Sequence, residues 1–167
     1  MSPRTKSKQR QSQSALSSPI PSEELAPFTL EFFVEDDGRP VVLGWFRSLS
    51  LTKKQILGSA MREILQVLGV GVCGTEFGKQ LGKGLFEFRL RQKAGEIHHG
   101  NSPNKLPPEH VLLRVFCHAY GNRIVLLLGG YDKALDPSPR RQNKEIEEAR
   151  ARLARWKARE MKPLKST

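Results

Sequence analysis

Residues 111–133 read VLLRVFCHAYGNRIVLLLGGYDK, two apolar runs on either side of Gly121-Asn122. Glycine and asparagine tolerate positive φ at little cost, so this dipeptide predicts a two-residue turn and an antiparallel hairpin. Side chains alternate across a strand. Val111, Leu113, Val115, Cys117 and Ala119 therefore share one face, and Leu112, Arg114, Phe116, His118 and Tyr120 the other. The first set reads as a core face. The second carries a cation, an imidazole and two aromatic rings. Ile124 to Leu128 is apolar at every position, which predicts a central strand covered on both sides.

Working outward, Leu85 to Arg91 (LFEFRLR) alternates in the same way, with Phe86, Phe88 and Leu90 opposed to Glu87, Arg89 and Arg91. Paired with the hairpin, it would give a small sheet with an apolar back for helices and a basic, aromatic front. One arginine on a wet face is ordinary solubilising chemistry. Arg89, Arg91 and Arg114 on neighbouring strands, with Phe116 and Tyr120 between them, suit RNA, whose phosphates take cations and whose bases stack on rings.

Phe28 to Val34 (FTLEFFV) predicts a first strand, closed by a turn at Glu35 to Gly38. A short helix over Val41 to Ser48 follows. Thr52 and Gln55 match a capping box for a second helix, in which Ile56, Leu57, Ala60, Met61, Ile64, Leu65 and Leu68 recur at helical spacing until Gly69 and Gly71. These two helices should cover the back of the sheet. Gly69 to Gly74 fits GxGxxG, but that fingerprint needs a strand before it and a helix after it. Here a helix precedes it and a Gly/Lys loop follows. No Gly-Lys is followed by Ser or Thr, so a Walker A loop is excluded too. Lys79 and Lys83 remain as loop cations able to touch phosphate.

Gln92 to His110 is a long polar segment with His98, His99 and His110. Without a third ligand at tight spacing it reads as an insertion between strands, not a metal site. Pro139 suits the first turn of a closing helix. Ile146, Ala149, Leu153 and Trp156 form the stripe of that helix, and Arg140, Arg141, Lys144, Arg150, Arg152, Arg155 and Lys157 surround it, beside the front of the sheet.

The chain has 167 residues, 38% of them hydrophobic, and a formal charge of +11. One modest core is affordable, and the partner should be polyanionic or acidic. Residues 1–26 are rich in Ser, Gln, Lys, Arg and Pro and read as a disordered basic arm. A domain over 27–161 and a tail over 162–167 complete the organisation. Cys73 and Cys117 are too few and too distant for a disulfide framework, and no apolar run predicts a signal or a membrane span. The expected location is cytoplasmic, with no membrane partner and no cofactor or metal.

In order, these pieces resemble the RelE/ParE toxin superfamily, most closely its HigB-like, phage-derived branch, over about Phe28 to Trp156. The resemblance rests on Gly84, Glu87 and Arg89; on Arg114, Val115 and Phe116; on Tyr131 and Lys133; and on Pro139, Ile146 and Ala149. It implies an α+β fold: a small antiparallel sheet with two N-terminal helices on one face and a C-terminal helix. It also implies the toxin of a type II toxin-antitoxin system, an mRNA interferase that enters the ribosome and cuts mRNA without a metal. Its partners would be the ribosome, mRNA and a cognate antitoxin of helix-turn-helix type. In that chemistry a ribose 2′-OH attacks its adjacent phosphate, giving a 2′,3′-cyclic phosphate and a free 5′-OH. The resemblance makes Arg89, Arg114 and Lys133 the cationic set. His118, two pleats beyond Arg114, has the suitable ordinary pKa for acid-base work, with Glu87 and Tyr120 as alternatives. Lys79, Lys83, Arg91, Phe116, Tyr120, Arg140 and Arg141 are the expected RNA contacts. Lys133-Ala134 stands where the family often has Lys-Lys, and a C-terminal catalytic tyrosine is missing. Two other readings share the scaffold: a ParE-like gyrase inhibitor without RNase activity, and a non-catalytic RNA-binding module.

Overall fold

The computed structural model describes residues 26–92 and 110–162. The basic arm up to residue 25, His98, His99 and the tail from 163 lie outside the described residues. Strand β1 (Thr29–Phe32) leads through helix α1 (Val41–Ser48) and α2 (Leu51–Ala60) into a π-helical turn (Met61–Leu65), the short α3 (Gln66–Leu68) and a 3-10 turn (Gly69–Gly74). Strands β2 (Gly78–Gly82), β3 (Leu85–Gln92), β4 (Val111–Tyr120) and β5 (Ile124–Asp132) follow, then helix α4 (Pro139–Glu160). The fold is α+β.

The five strands form one sheet in the order β1-β5-β4-β3-β2. It is mixed, not wholly antiparallel as expected, because β1 pairs parallel to β5. Parallel neighbours need a crossover, and the helical layer behind the sheet lies in the chain between them. The hydrogen bond from the Phe33 amide to Leu127 O, 3.0 Å, prolongs the pairing past the strand end. As expected from its composition, β5 is covered on both faces; it is an interior strand, second from the edge, and the central one is β4.

The back face carries Phe86, Phe88, Leu90, Val111, Leu113, Val115, Cys117, Val125 and Leu127, packed against Val42, Leu57, Ala60, Met61 and Leu65. On the front, Leu85, Phe116, Leu126, Leu128 and Tyr131 pack with Phe33 against Ala149 and Leu153 of α4. The alternation read from the sequence is therefore present on β3 and β4. A bulge between Phe116 and Cys117 leaves Leu128 without a partner on β4, so that the consecutive Leu128 and Gly129 both look to the front. Beyond it, Gly129 and Gly130 let a layer close on each side. A Cβ on Gly129 would stand 3.2 Å from Arg152 of α4, and one on Gly130 would stand 2.4 Å from the Trp45 ring of α1.

Four local readings are corrected. The β4–β5 connection is Gly121 to Arg123, with positive φ at Gly121 (54°) and Arg123 (57°). Arg123 is held in this uncommon conformation by its bond to Ala26 O and by stacking on Phe28 at 4.1 Å. The cap of α2 is Ser50, whose hydroxyl accepts from the Lys53 amide at 3.3 Å, in place of Thr52. The Gly/Lys loop is a strand: β2 pairs with β3 through a turn in which Gly82, Lys83 and Gly84 all have positive φ. Finally, Leu68 lies off the buried stripe, 40% exposed. The wide π turn re-phases the helix, so that beyond Leu65 it is Val72 that faces the core.

Leu51–Gly74 is long and apolar enough to cross a membrane by length and composition alone, which the run-length reading had not anticipated. In the fold its inner stripe packs on the sheet, as that of a core helix does. Cys73 and Cys117 are both free, and burial pushes the Cys117 thiol up.

The closeness of Gly130 to Trp45 gives a stability test. Gly130→Ala must displace a ring in a packed layer, and overpacking of this kind costs about 1–3 kcal/mol. Chemical denaturation should show that loss.

Candidate nucleic-acid interface

Strand register brings the arginines together. Arg89 stands directly opposite Arg114 across β3 and β4, and Arg114 opposite Tyr131 across β4 and β5. One pleat away, Glu87 faces Phe116 and Lys79. Arg91 faces Leu112, whose carbonyl accepts from the Lys133 amide at 2.7 Å. Glu87, Arg89, Arg91, Arg114 and Lys133 therefore share one patch of the front face.

Arg114 and Glu87 form the floor of that patch, 2% and 1% exposed. Arg114 Nε lies 2.9 Å from Glu87 Oε1, although neither atom has the alignment of a hydrogen bond. A second guanidinium nitrogen of Arg114 donates to Leu113 O at 3.1 Å. Burial pulls Arg114 below its ordinary pKa, opposed by the Glu87 charge. Arg89, half-buried, donates to Gly78 O at 3.0 Å, while its Nε is buried without a partner. The Tyr131 hydroxyl is likewise buried and unpartnered, and burial raises its pKa. Lys133 is half-buried and reaches Gln142 Oε1 of α4 at 3.2 Å. Burial and then the Arg114 charge hold its amine below the ordinary lysine value. Buried polar atoms are normally paired; here Arg89 Nε, the Tyr131 hydroxyl and both Glu87 oxygens lack hydrogen-bond partners, so unsatisfied donors and one carboxylate lie side by side among like charges.

The rest of the predicted site lies elsewhere on the face. Helix α4, expected beside the front, runs over it. Phe116 is fully buried beneath this helix and stacked on Tyr131 at 6.1 Å, so it has no face for a base. His118 stands four residues along β4 from Arg114, about 13 Å at strand rise. Its Nδ1 lies 2.8 Å from Gly84 O, and its ring meets Trp156 edge-on at 5.6 Å. Tyr120 bonds Glu31 and packs on Trp156 at 4.5 Å; burial and that carboxylate push its phenol up to about 12. These rings make a separate cluster beside α4, apart from the cations. Lys79, Lys83, Arg91 and Arg140 are exposed. Arg141 lies 5.7 Å from the Tyr131 ring centroid and pairs with Glu145 at 2.7 Å. Among the described residues no group of three or more metal-ligating side chains occurs.

Sequence reasoning passed over two features. One is Glu35, which takes Arg152 at 2.9 Å and Arg155 at 2.8 Å and, with Arg159 on Val34 O, fastens α4 to the end of β1. The other is Lys53, which reaches Asp132 at 2.7 Å from behind the sheet. Its position on the apolar stripe of α2, four residues before Leu57, was the available signal.

The fold and its front face thus define an α+β domain with a partly buried arginine and lysine patch around one carboxylate. No protein-family model matches the chain, and no curated protein matches it either.

Two outcomes follow from this geometry. Arg114→Met would leave Glu87 buried without its counter-charge, which costs about 3–5 kcal/mol. Adding Glu87→Gln should restore most of that stability in denaturant titrations. Burial alone would push the Glu35 carboxyl up, but the bonds and charges of Arg152 and Arg155 more than reverse this and leave it lowered. A carboxyl lowered by folding stabilises fully above its unfolded pKa and loses that contribution as pH falls through the folded one. Denaturation of wild type and Glu35→Gln should therefore differ above the ordinary value of 4.5 and converge as the medium is acidified below it.

Proposed function

We propose that this chain is an RNA-directed toxin of a type II toxin-antitoxin pair, a metal-independent endoribonuclease that cuts mRNA on the ribosome. The observation that carries the reading is the register pairing of Arg89 with Arg114, with Arg91 and Lys133 alongside and Glu87 as the buried carboxylate among them. The excess of positive charge matches a phosphodiester whose charge builds up during in-line attack, the situation in which preorganised cations act most strongly. Arg89 and Arg114 would hold the non-bridging oxygens. Glu87, buried and ion-paired with Arg114, would have to be uncovered by the substrate before it takes the 2′-proton, and Lys133, whose lowered pKa makes it the better acid, would protonate the leaving 5′-oxygen. His118, the first expectation for acid-base work, is set aside because it is bonded to Gly84 O and lies in the ring cluster.

The resemblance supplies the ribosome, the cytoplasm and a helix-turn-helix antitoxin as the setting of this activity. The strong positive charge supports partners of that kind. A binding function without cleavage, either a gyrase-directed toxin or an RNA-binding module, is favoured by one observation: Arg114 and Glu87 are almost wholly out of solvent.

Primer extension on translated mRNA separates these. Codon-registered cuts are expected from the wild type, falling by about 10²–10³ in rate for Arg89→Ala and for Lys133→Ala, while His118→Ala keeps its cuts. Intact mRNA with trapped DNA breaks would instead establish the gyrase reading, and intact mRNA with retained RNA binding the module.

A further inference from the structure

Asp132 ends β5 on the back face, opposite Leu113, and Lys133 follows it on the front. Both carboxylate oxygens of Asp132 are engaged. Oδ2 lies 2.7 Å from the Lys53 amine on α2, and Oδ1 accepts from the Ala134 amide at 3.0 Å. The chain around Lys133 is also tied through its own amide to Leu112 O and from the Leu135 amide to Asp132 O at 3.2 Å. The Lys53 and Asp132 side chains are only 9% and 5% exposed. A buried pair of this kind is a weak source of net stability, because desolvation of both ions offsets their attraction. Its location is more telling: it joins the helical layer behind the sheet to the turn that presents a site cation in front. A lysine amine sits on a flexible four-carbon stem, so the direction of that stem depends on the backbone from which it starts.

We propose that Lys53 and Asp132 are positioning residues, which clamp the turn after β5 so that the Lys133 amine stays over the arginine patch instead of swinging into solvent. This rests on the phosphodiester-binding reading above. Neither residue touches the substrate; they act through Lys133. The amine bonds Gln142 Oε1 of α4 at 3.2 Å; burial first, and then the charges of Arg114, Arg91 and Arg89 against that of Glu87, hold its pKa low.

Removing one partner would strand the other as a buried ion, so the test replaces both, as Lys53→Met with Asp132→Asn; asparagine keeps an oxygen for the Ala134 amide. Binding of a short single-stranded 2′-O-methyl oligoribonucleotide is followed against salt. Loss of one cation from a single-strand contact lowers the slope of log affinity against log salt by about 0.7. That loss is expected in the double variant and in Lys133→Ala, with no further loss when the three changes are combined, and Lys53→Arg should retain the wild-type slope. Where Lys133→Ala lowers the slope, an unchanged slope in the double variant, or losses that add, would overturn the proposal. If Lys133→Ala itself leaves the slope unchanged, the phosphodiester reading fails, and an NMR titration of the Lys133 amine judges the clamp alone. A pKa that rises toward the ordinary lysine value in the double variant upholds the clamp, and an unmoved one removes it.

Discussion

The structure depends on a strand that is apolar on both faces. Burying Val125, Leu126, Leu127 and Leu128 together requires a layer in front of β5 as well as behind it, and each fully buried side chain of this size contributes about 1.5–3 kcal/mol. Behind, α1 and the rod from Leu51 to Gly74 meet the requirement. In front, α4 is the only described helix left, and its stripe is thin: Ala149 and Leu153 are its buried apolar residues. Polar contacts at the margins of α4 complete the attachment, with Glu35 on one side and the carbonyls of Leu81 and Gly82, both taken by Arg150, on the other.

That covering divides the front into two regions. One half holds rings locked against α4, and the other holds cations around Glu87. Charge crowding in the second is visible in its physical consequences. Arg114 and Lys133 are both shifted toward their neutral forms, each first by burial, while the Nε donor of Arg89 goes unbonded. The same residues serve the fold, since Glu87 and Arg114 neutralise each other in the interior. Substitutions there change stability and binding together, and only paired replacements separate the two.

Much of this was legible in the alternation of residues 85–91 and 111–128, which assigned the two faces correctly and with them the shared side of Arg89 and Arg114. Helix α1 was expected over its observed span, Val41–Ser48, and the start of α4 was legible from Pro139 in its first turn. Three things were not. The strand GKQLG lacks an apolar alternation and is made by its turn, where three successive residues adopt positive φ. The parallel docking of β1 is a long-range choice, to which a four-residue strand contributes no local signal. The depth of Arg114 depends on Tyr131 arriving from elsewhere in the chain, so the sequence showed an arginine on the front face but not that it is also the buried partner of a glutamate. His118 shared its face as expected, but face membership says nothing of what lands on top.

The π-helical turn at Met61–Leu65 also bears on the register of the rod behind the sheet. A wide turn of this kind accommodates an extra residue within a helix, and one residue is worth about 100° of rotation. Here the surplus is absorbed in place, so Leu57 upstream and Val72 downstream both still look inward. Helical register in this rod is therefore set by one turn: the surplus is taken up there without a loop, at the expense of Leu68, which is turned out, while the far end stays on the core through Val72.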